Sequence, residues 1–145
     1  NRSPVTGLAF PARQIADLDG MLQQADVAVV AVPGGPGTRH LIGAGQMAAL
    51  GAQGYLVNIA RGDVVDEAAL VEALRSREIA GAAMDVFSEE PLPPDSDLLT
   101  LDNLVVTPHL AAIAADNFAP TVRRMFANIA HVSRGEPIPE GDLVV

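Results

Sequence analysis

The sequence predicts an α/β fold in which a parallel, doubly wound sheet carries helices on both faces. Hydrophobic residues make up 49% of the 145 residues but aromatic residues only 3%. A core built mainly of Ala, Val and Leu suits helices packed closely on a buried parallel sheet. Short apolar runs also alternate with amphipathic segments along the chain, which is the order of parallel strands joined by right-handed crossovers.

The strands are predicted from short apolar runs that stop at turn-forming residues. The first run has the sequence DVAVVAV and ends at Pro33 and Gly34, where a buried strand would enter a tight loop. The third and fourth runs flank an acidic, proline-rich loop over residues 88–103. The four predicted strands are residues 26–32, 55–59, 81–87 and 104–107.

The helices are predicted from the spacing of apolar residues and from the charges at each end. The clearest begins at Asp66, ends in basic residues as the helix dipole prefers, and places Leu70 and Leu74 on one face. We expect the last helix to bend or restart near Pro120, because proline cannot donate an interior hydrogen bond. The predicted helices are residues 18–25, 46–50, 66–77 and a segment within 112–134, followed by an extended tail over 135–145.

Residues 43–48 have the sequence GAGQMA and match the G-x-G-x-x-A fingerprint of dinucleotide-binding loops. That fingerprint has to follow a strand directly and open a helix. Here the preceding strand is predicted to end near Val32, and a loop rich in Pro and Gly lies between. We therefore interpret residues 43–48 as a loop leading into a helix, and we expect the phosphate-binding loop to be absent from this sequence.

The composition disfavours several classes of partner. The net charge is −9 and the sequence contains no basic run, so we expect neither nucleic acid nor an anionic membrane as a partner. No apolar run reaches the roughly 18 residues that a membrane-spanning helix needs. The absence of cysteine excludes disulfides and permits a reduced, cytoplasmic setting. No clustered His and Asp spacing predicts a metal site.

Charged side chains follow three of the predicted strands. Arg61 follows the second strand, and His109 follows the fourth. Asp85 and Glu90 lie near the end of the third. Because ligands of parallel sheets bind beyond the carboxyl ends of the strands, we expect these side chains to share one site.

These residue types suit an anionic substrate that carries a carbonyl group. Arg61 can hold a carboxylate through two parallel hydrogen bonds. His109 can pass a proton to or from an oxygen, and Glu90 can orient its ring and favour the imidazolium form. The residues alone leave ordinary alternatives open. Arg61 would then be a surface group, Glu90 a solvated loop carboxylate, and His109 the cap of the following helix.

Three segments resemble the motifs of the D-2-hydroxyacid dehydrogenase family. Residues 56–62 (LVNIARG) resemble its arginine motif, residues 81–91 (GAAMDVFSEEP) its glutamate motif, and residues 107–109 (TPH) its histidine motif. Each motif is modest alone, but their shared order and spacing are highly specific. The resemblance covers about residues 27–134.

The family implies a Rossmann-type domain, of which residues 1–145 would be the C-terminal part. Residues 121–145 would form a helix and tail that return toward a substrate domain missing from this sequence. Without that domain and the phosphate loop, we expect the chain alone to turn over little substrate. The resemblance also implies a homodimer.

The resemblance implies a role for each residue at the strand ends. Arg61 would bind the substrate carboxylate, and His109 would donate a proton as hydride arrives from the nicotinamide. Glu90 would pair with His109, and Asp85 would bind the nicotinamide carboxamide. Cofactor contacts are implied for Val32, Pro33, Ile59, Ala60, Arg61, Asp85, His109 and Ala111. Leu110, Ala111 and Ala112 lie where the family commonly has a glycine shortly after the histidine.

Two features indicate a subgroup of the family. Arg2 and Ser3 would lie where NAD-dependent members place an acidic residue, and they suit the 2′-phosphate of NADP. Residues 33–39 resemble the hydroxypyruvate and glyoxylate reductase branch. We therefore predict reduction of hydroxypyruvate or glyoxylate as a small 2-keto acid substrate, with NADP preferred over NAD. Phosphoglycerate, D-lactate and formate dehydrogenation remain open, as does a nucleotide-sensing regulator or corepressor that keeps this fold.

Overall fold

The computed structural model describes residues 17–113, 118–139 and 142. The predicted cofactor contacts Arg2 and Ser3 lie outside the described residues. The chain divides into two compact units, Asn1–His109 and Leu110–Val145. The sheet and the first three helices belong to the first unit, and the last helix belongs to the second.

The described strands of the first unit form one parallel sheet, as predicted. They pair in the order β1-β2-β3-β4, so that each strand lies beside the next one in the chain. The parallel direction requires a crossover after each strand. The strands are β1 (Val27–Val30), β2 (Tyr55–Asn58), β3 (Gly81–Met84) and β4 (Leu104–Val106).

The helices of the first unit pack in series along one face of the sheet. Helix α1 (Leu18–Leu22) contacts α2 (Ala44–Leu50), and α2 contacts α3 (Glu67–Arg75). Successive right-handed crossovers that run in one direction along a sheet place their helices on the same face. Helices on the opposite face therefore stay a prediction for the first unit. The second unit contains α4 (Phe118–Ser133).

The core lies between this helical layer and one face of the sheet. Side chains on the opposite sheet face, such as Val29, Tyr55 and Val105, are exposed. Full burial of a Val, Leu or Met side chain contributes about 1.5–3 kcal/mol each, so the helix-facing side holds the first unit together. The main residues of this core are Val30, Leu56, Ala82 and Met84 from the strands and Leu22, Met47, Leu70 and Leu74 from the helices.

Two of the predicted strand ends were wrong by two or three residues, and the other two by one residue. Strand β1 ends at Val30 instead of residue 32, and β3 ends at Met84 instead of residue 87. Strand β2 ends at Asn58, so β1, which pairs only with β2 among the described strands, has no strand to pair with beyond that level. The apolar residues that follow β1 line a cavity instead. The apolar character of a residue alone does not show whether it lies within the sheet or in the wall of a cavity.

The predicted helix boundaries also need correction. The bend or restart predicted near Pro120 stays a prediction, because residues 114–117 lie outside the described residues. In the described part, α4 begins at Phe118, so Pro120 lies in its first turn. A proline is tolerated there, since the first N–H groups of a helix have no partner within it. Asp66 precedes α3 as its N-cap and accepts a hydrogen bond from the Ala69 N–H at 3.2 Å. Residues 43–48 were predicted as a loop before a helix that starts at Gln46, but Gly43 is the N-cap of α2 and the helix already begins at Ala44.

None of the helices that the structure describes is long and apolar enough to cross a membrane.

Candidate active site

A cavity of about 890 Å³ opens beyond the carboxyl ends of β1 and β2. Its walls come from the loops that follow these two strands and from the segments around Glu90 and His109. A volume of this size is typical of sites for cofactors and small molecules. Among its lining residues are the predicted site residues Val32, Pro33, Ile59, Ala60, Arg61, Glu90 and His109.

Arg61 lies in the loop after β2, and its side chain packs on the loop after β1. The guanidinium Nη1 donates a hydrogen bond to the carbonyl of Ala60 at 2.6 Å. A Cβ built at Gly34 would lie only 2.7 Å from Cγ of Arg61. A side chain at position 34 would therefore push the arginine out of its place, so Gly34 lets the cation lie at the cavity wall.

Gly62 brings the Arg61 loop against the backbone that precedes Glu90. A Cβ built at Gly62 would lie 1.9 Å from the carbonyl carbon of Phe87 and 2.3 Å from the backbone nitrogen of Ser88. No side chain fits in that space, because real Cβ atoms essentially never come within 3.0 Å of such atoms. Glycine is therefore required here for the close approach of the two backbones.

Glu90 and His109 form a hydrogen-bonded pair at the edge of the cavity. Oε2 of Glu90 lies 2.8 Å from Nδ1 of His109, and Oε1 accepts a hydrogen bond from the Phe87 N–H at 2.9 Å. The bond with His109 is the main cause that lowers the pKa of the Glu90 carboxyl below its usual 4.5. The Phe87 N–H lowers the pKa further, and the charge of Arg61 makes a smaller contribution. Glu90 is therefore anionic at neutral pH and holds one ring nitrogen of His109.

The backbone of His109 adopts a left-handed conformation, with φ at 56°. A residue other than glycine in this region costs on the order of 1–3 kcal/mol, and the surrounding structure has to hold it there. The His109 N–H donates to the carbonyl of Asp85 at 2.8 Å, which fixes the turn after β4. The turn thus directs the imidazole toward Glu90.

Asp85 follows β3 and is one of two buried polar side chains in the described part of the chain. Its Oδ1 accepts a hydrogen bond from the hydroxyl of Thr107 at 2.5 Å. Asp85 lies at the strand ends but is not among the residues that line the cavity. Thr107 and Pro108 precede His109, so the same short segment positions both the imidazole and this carboxylate.

A second cavity of about 540 Å³ adjoins the first and shares Phe87, Glu90 and His109 with it. Its other walls are mostly apolar and include Leu92 and Val106. The Glu90–His109 pair therefore lies between the two cavities.

Sequence reasoning missed several residues that contribute backbone to the site. Gly34, Gly35, Gly62 and Phe87 line the first cavity, but their contribution depends on close tertiary approach. The predicted contact Ala111 is exposed and belongs to the second unit. Of the described non-glycine residues near Ala111 in the sequence, His109 is the one with the left-handed backbone that a glycine would favour. No group of His, Asp and Glu suited to a metal ion occurs within residues 17–113, 118–139 and 142.

The sheet and the position of the site define a class of protein. A parallel sheet with a cavity at the carboxyl ends of its strands is the arrangement of the Rossmann-type nucleotide-binding domains. A cation and a carboxylate-bound imidazole at that cavity can hold an anion and move a proton. Together these features define a nucleotide-binding domain with groups for proton transfer.

The chain belongs to the D-isomer specific 2-hydroxyacid dehydrogenase family. Residues 2–111 match the family model described as "D-isomer specific 2-hydroxyacid dehydrogenase, NAD binding domain". This match confirms the resemblance inferred from the three sequence motifs, and it includes all three of them.

Individual relatives include more than one kind of enzyme. The chain is 40% identical over 130 residues to a glyoxylate reductase of Thermofilum pendens, which covers 90% of this chain. It is 40% identical over 125 residues to a D-3-phosphoglycerate dehydrogenase of Archaeoglobus fulgidus, which covers 86% of this chain.

A solved structure of a relative has the same fold. It is the NADPH-dependent glyoxylate/hydroxypyruvate reductase of Sinorhizobium meliloti in complex with NADP and malonate, which matches 90% of this chain with a TM-score of 0.79 and 37% identity. This chain spans only part of each relative: 38% of the glyoxylate reductase, 24% of the phosphoglycerate dehydrogenase and 40% of the solved reductase.

Proposed function

We propose that the protein to which this chain belongs reduces a small 2-keto acid, hydroxypyruvate or glyoxylate, with NADPH or NADH. The observation that carries the proposal is the arrangement of Arg61, Glu90 and His109, which line one cavity with Glu90 and His109 bonded at 2.8 Å. A cation and a proton donor at one cavity are what reduction of an anionic carbonyl compound requires.

The residues that line the cavity fit a bound dinucleotide. Val32 and Pro33 would border its adenosine side, Ile59 supplies apolar wall, and the adjoining Gly34 presents backbone without a side chain. Asp85 lies near this end of the sheet, where its carboxylate would bind the carboxamide. When bound, the reduced nicotinamide supplies the hydride.

The side chains of the site then have separable roles. Arg61 would bind the substrate carboxylate in a two-bonded geometry and draw electron density from the adjacent carbonyl. His109 would donate the proton to the carbonyl oxygen. Because Nδ1 faces Glu90, Nε2 is the ring nitrogen that would carry this proton. Glu90 would hold the tautomer and stabilise the imidazolium, as a carboxylate does for a catalytic histidine.

NADP is the cofactor that the sequence favours. Arg2 and Ser3 suit the 2′-phosphate, and the solved Sinorhizobium meliloti reductase was obtained with NADP. The kinetic comparison is direct, because NADH and NADPH differ only at that phosphate. A protein that uses NADH better than NADPH would overturn this preference and leave the family unchanged.

The test is a substrate panel on the protein as its gene encodes it. Oxidation of NADPH and of NADH is followed with hydroxypyruvate, glyoxylate, pyruvate and 3-phosphohydroxypyruvate. His109→Ala should lower turnover by roughly two to four orders of magnitude, as expected for a lost general acid. Unchanged turnover in this variant would overturn the proposed role.

The chain offers a matched control for His109. His40 has the same side-chain exposure, 47%, a similar positive φ of 49° and a carboxylate partner, Asp66, at 3.7 Å. It does not line the cavity. His40→Ala should therefore leave turnover within about threefold of the wild type. A comparable loss in both variants would show that the effect of His109→Ala is not specific to the site.

D-3-phosphoglycerate dehydrogenation is the second candidate, because one relative with 40% identity has that name. A higher kcat/KM for 3-phosphohydroxypyruvate than for hydroxypyruvate would favour it. A nucleotide-sensing regulator would instead bind NAD(P)H without reducing any member of the panel. The presence of the cation, the imidazole and its carboxylate in one cavity supports the enzyme.

A cytoplasmic homodimer with no nucleic-acid partner is also part of the proposal. Light scattering during size-exclusion chromatography measures the mass of the assembly, and a monomer at micromolar concentration would contradict the dimer. Cell fractionation and a DNA-binding assay test the other two points.

A further inference from the structure

Asn58 is the last residue of β2 and is fully buried, with 0% exposure. Burial of an amide is costly unless its polar atoms are hydrogen-bonded. Both polar atoms of Asn58 are bonded, and both bonds go to the loop that carries Arg61. Its Oδ1 accepts from the Ala60 N–H at 3.0 Å, and its Nδ2 donates to the Arg61 carbonyl at 3.0 Å.

These two bonds replace sheet hydrogen bonds at the point where the strand stops. The bond to the N–H two residues further on forms a side-chain turn that bends the backbone away from the extended direction. The bond to the Arg61 carbonyl then fixes the residue whose side chain lies at the cavity wall. The same carbonyl also accepts from the Val64 N–H at 3.2 Å, so it is held from two sides.

We propose that Asn58 is a positioning residue for substrate binding, which acts by fixing the backbone of Arg61 at the cavity. The inference rests on the proposed function, since it assumes that Arg61 binds the substrate carboxylate. A guanidinium binds a carboxylate with two bonds only in a narrow range of geometry. A displacement of about 1 Å at such a group can cost on the order of a hundredfold in rate.

Two substitutions isolate the bond to the Arg61 carbonyl. Asn58→Asp keeps the shape and the acceptor for the Ala60 N–H, but it places a carboxylate oxygen against the Arg61 carbonyl. Asn58→Ser also allows the turn to Ala60 and simply lacks the second bond. The control is Asn103→Asp, because Nδ2 of Asn103 also donates to backbone carbonyls, those of Leu74 and Ala80. Asn103 directly precedes β4 and so lies at the opposite end of the strands from the cavity.

The measurements are KM and kcat for the 2-keto acid, the Kd of oxamate for the protein–NADPH complex, and the melting temperature. Asn58→Asp should raise KM and the oxamate Kd by about tenfold or more, with a smaller change in kcat. Asn58→Ser should shift both constants in the same direction by less. Asn103→Asp should lower the melting temperature and leave both constants unchanged.

The outcomes separate the inference from the function on which it rests. If the folded Asn58 variants lose melting temperature as Asn103→Asp does and keep the wild-type KM and oxamate Kd, Asn58 is only structural and the inference is overturned. If Asn58→Asp does not fold, the constants of Asn58→Ser decide between the two results. A wild-type protein that reduces no 2-keto acid would overturn the proposed function and this inference together.

Discussion

The close approach of Gly62 to the backbone of Phe87 gives a prediction whose size follows from the structure. In Gly62→Ala the new methyl group would lie 1.9 Å from the carbonyl carbon of Phe87, whereas ordinary contact begins at 3.4 Å. The two backbone segments would have to separate by about 1.5 Å, the difference between these distances. Arg61 adjoins one segment and Glu90 the other, so the substitution would move the cation away from the Glu90–His109 pair.

This displacement should affect both stability and activity. Forcing extra volume into a closely packed region costs about 1–3 kcal/mol of unfolding free energy. Misplacing a substrate-binding group by 1 Å or more costs roughly a hundredfold in kcat/KM. We therefore expect Gly62→Ala to melt at a lower temperature and to lose about two orders of magnitude in kcat/KM.

The assay is NADPH oxidation with hydroxypyruvate together with thermal melting followed by circular dichroism. Gly45→Ala is the matched control, because nothing lies within 4 Å of a Cβ built at Gly45, in α2. That substitution should keep activity and stabilise the helix by about 0.5–1 kcal/mol. A Gly62→Ala protein with the wild-type melting temperature and a kcat/KM within about threefold of the wild type would refute the reasoning.

Three further substitutions test other parts of the account. Glu90→Gln should lower turnover about tenfold, the low end for a charge-assisted bond, because the pair is partly exposed. The pKa of Glu90 is lower in the folded protein than its ordinary value of 4.5, so the ionised carboxylate stabilises the folded state above that pH. This contribution is lost as the pH falls through the folded-state pKa. The melting difference between wild type and Glu90→Gln should therefore shrink below pH 4.5. Arg61→Lys should raise KM about tenfold or more, measured by steady-state kinetics, because lysine cannot form the two-bonded contact. Leu70→Ala removes a side chain with 0% exposure and should cost about 2–5 kcal/mol in urea unfolding.

The type of fold and the position of the site could be predicted because their signals are local in sequence. Strand β2 is a short, mostly apolar run, and Arg61 lies in the loop that follows it. The carboxyl ends of parallel strands meet at one edge, so residues after separate strands come together without any knowledge of side-chain packing. This is why Arg61, Glu90 and His109 could be grouped before the structure was known.

The remaining features depend on contacts between distant segments. The sequence shows a glycine at position 62 but not that Phe87 lies against it. Asn58 reads as one polar residue in an apolar strand, and only its complete burial shows that its amide holds the next loop. The end of β1 was predicted too late, since residues that line a cavity are as apolar as residues within a sheet.

The most direct test of the central claim follows the hydride itself. The protein as its gene encodes it is incubated with hydroxypyruvate and NADPH that carries deuterium at both C4 positions, and the product is analysed by mass spectrometry. We expect D-glycerate with one deuterium at C2, and the same substrate with His109→Ala should give far less of it in the same time. A product without deuterium at C2, or no product with any 2-keto acid and either cofactor, would contradict the assignment of Arg61, Glu90 and His109 to a hydride-transfer site.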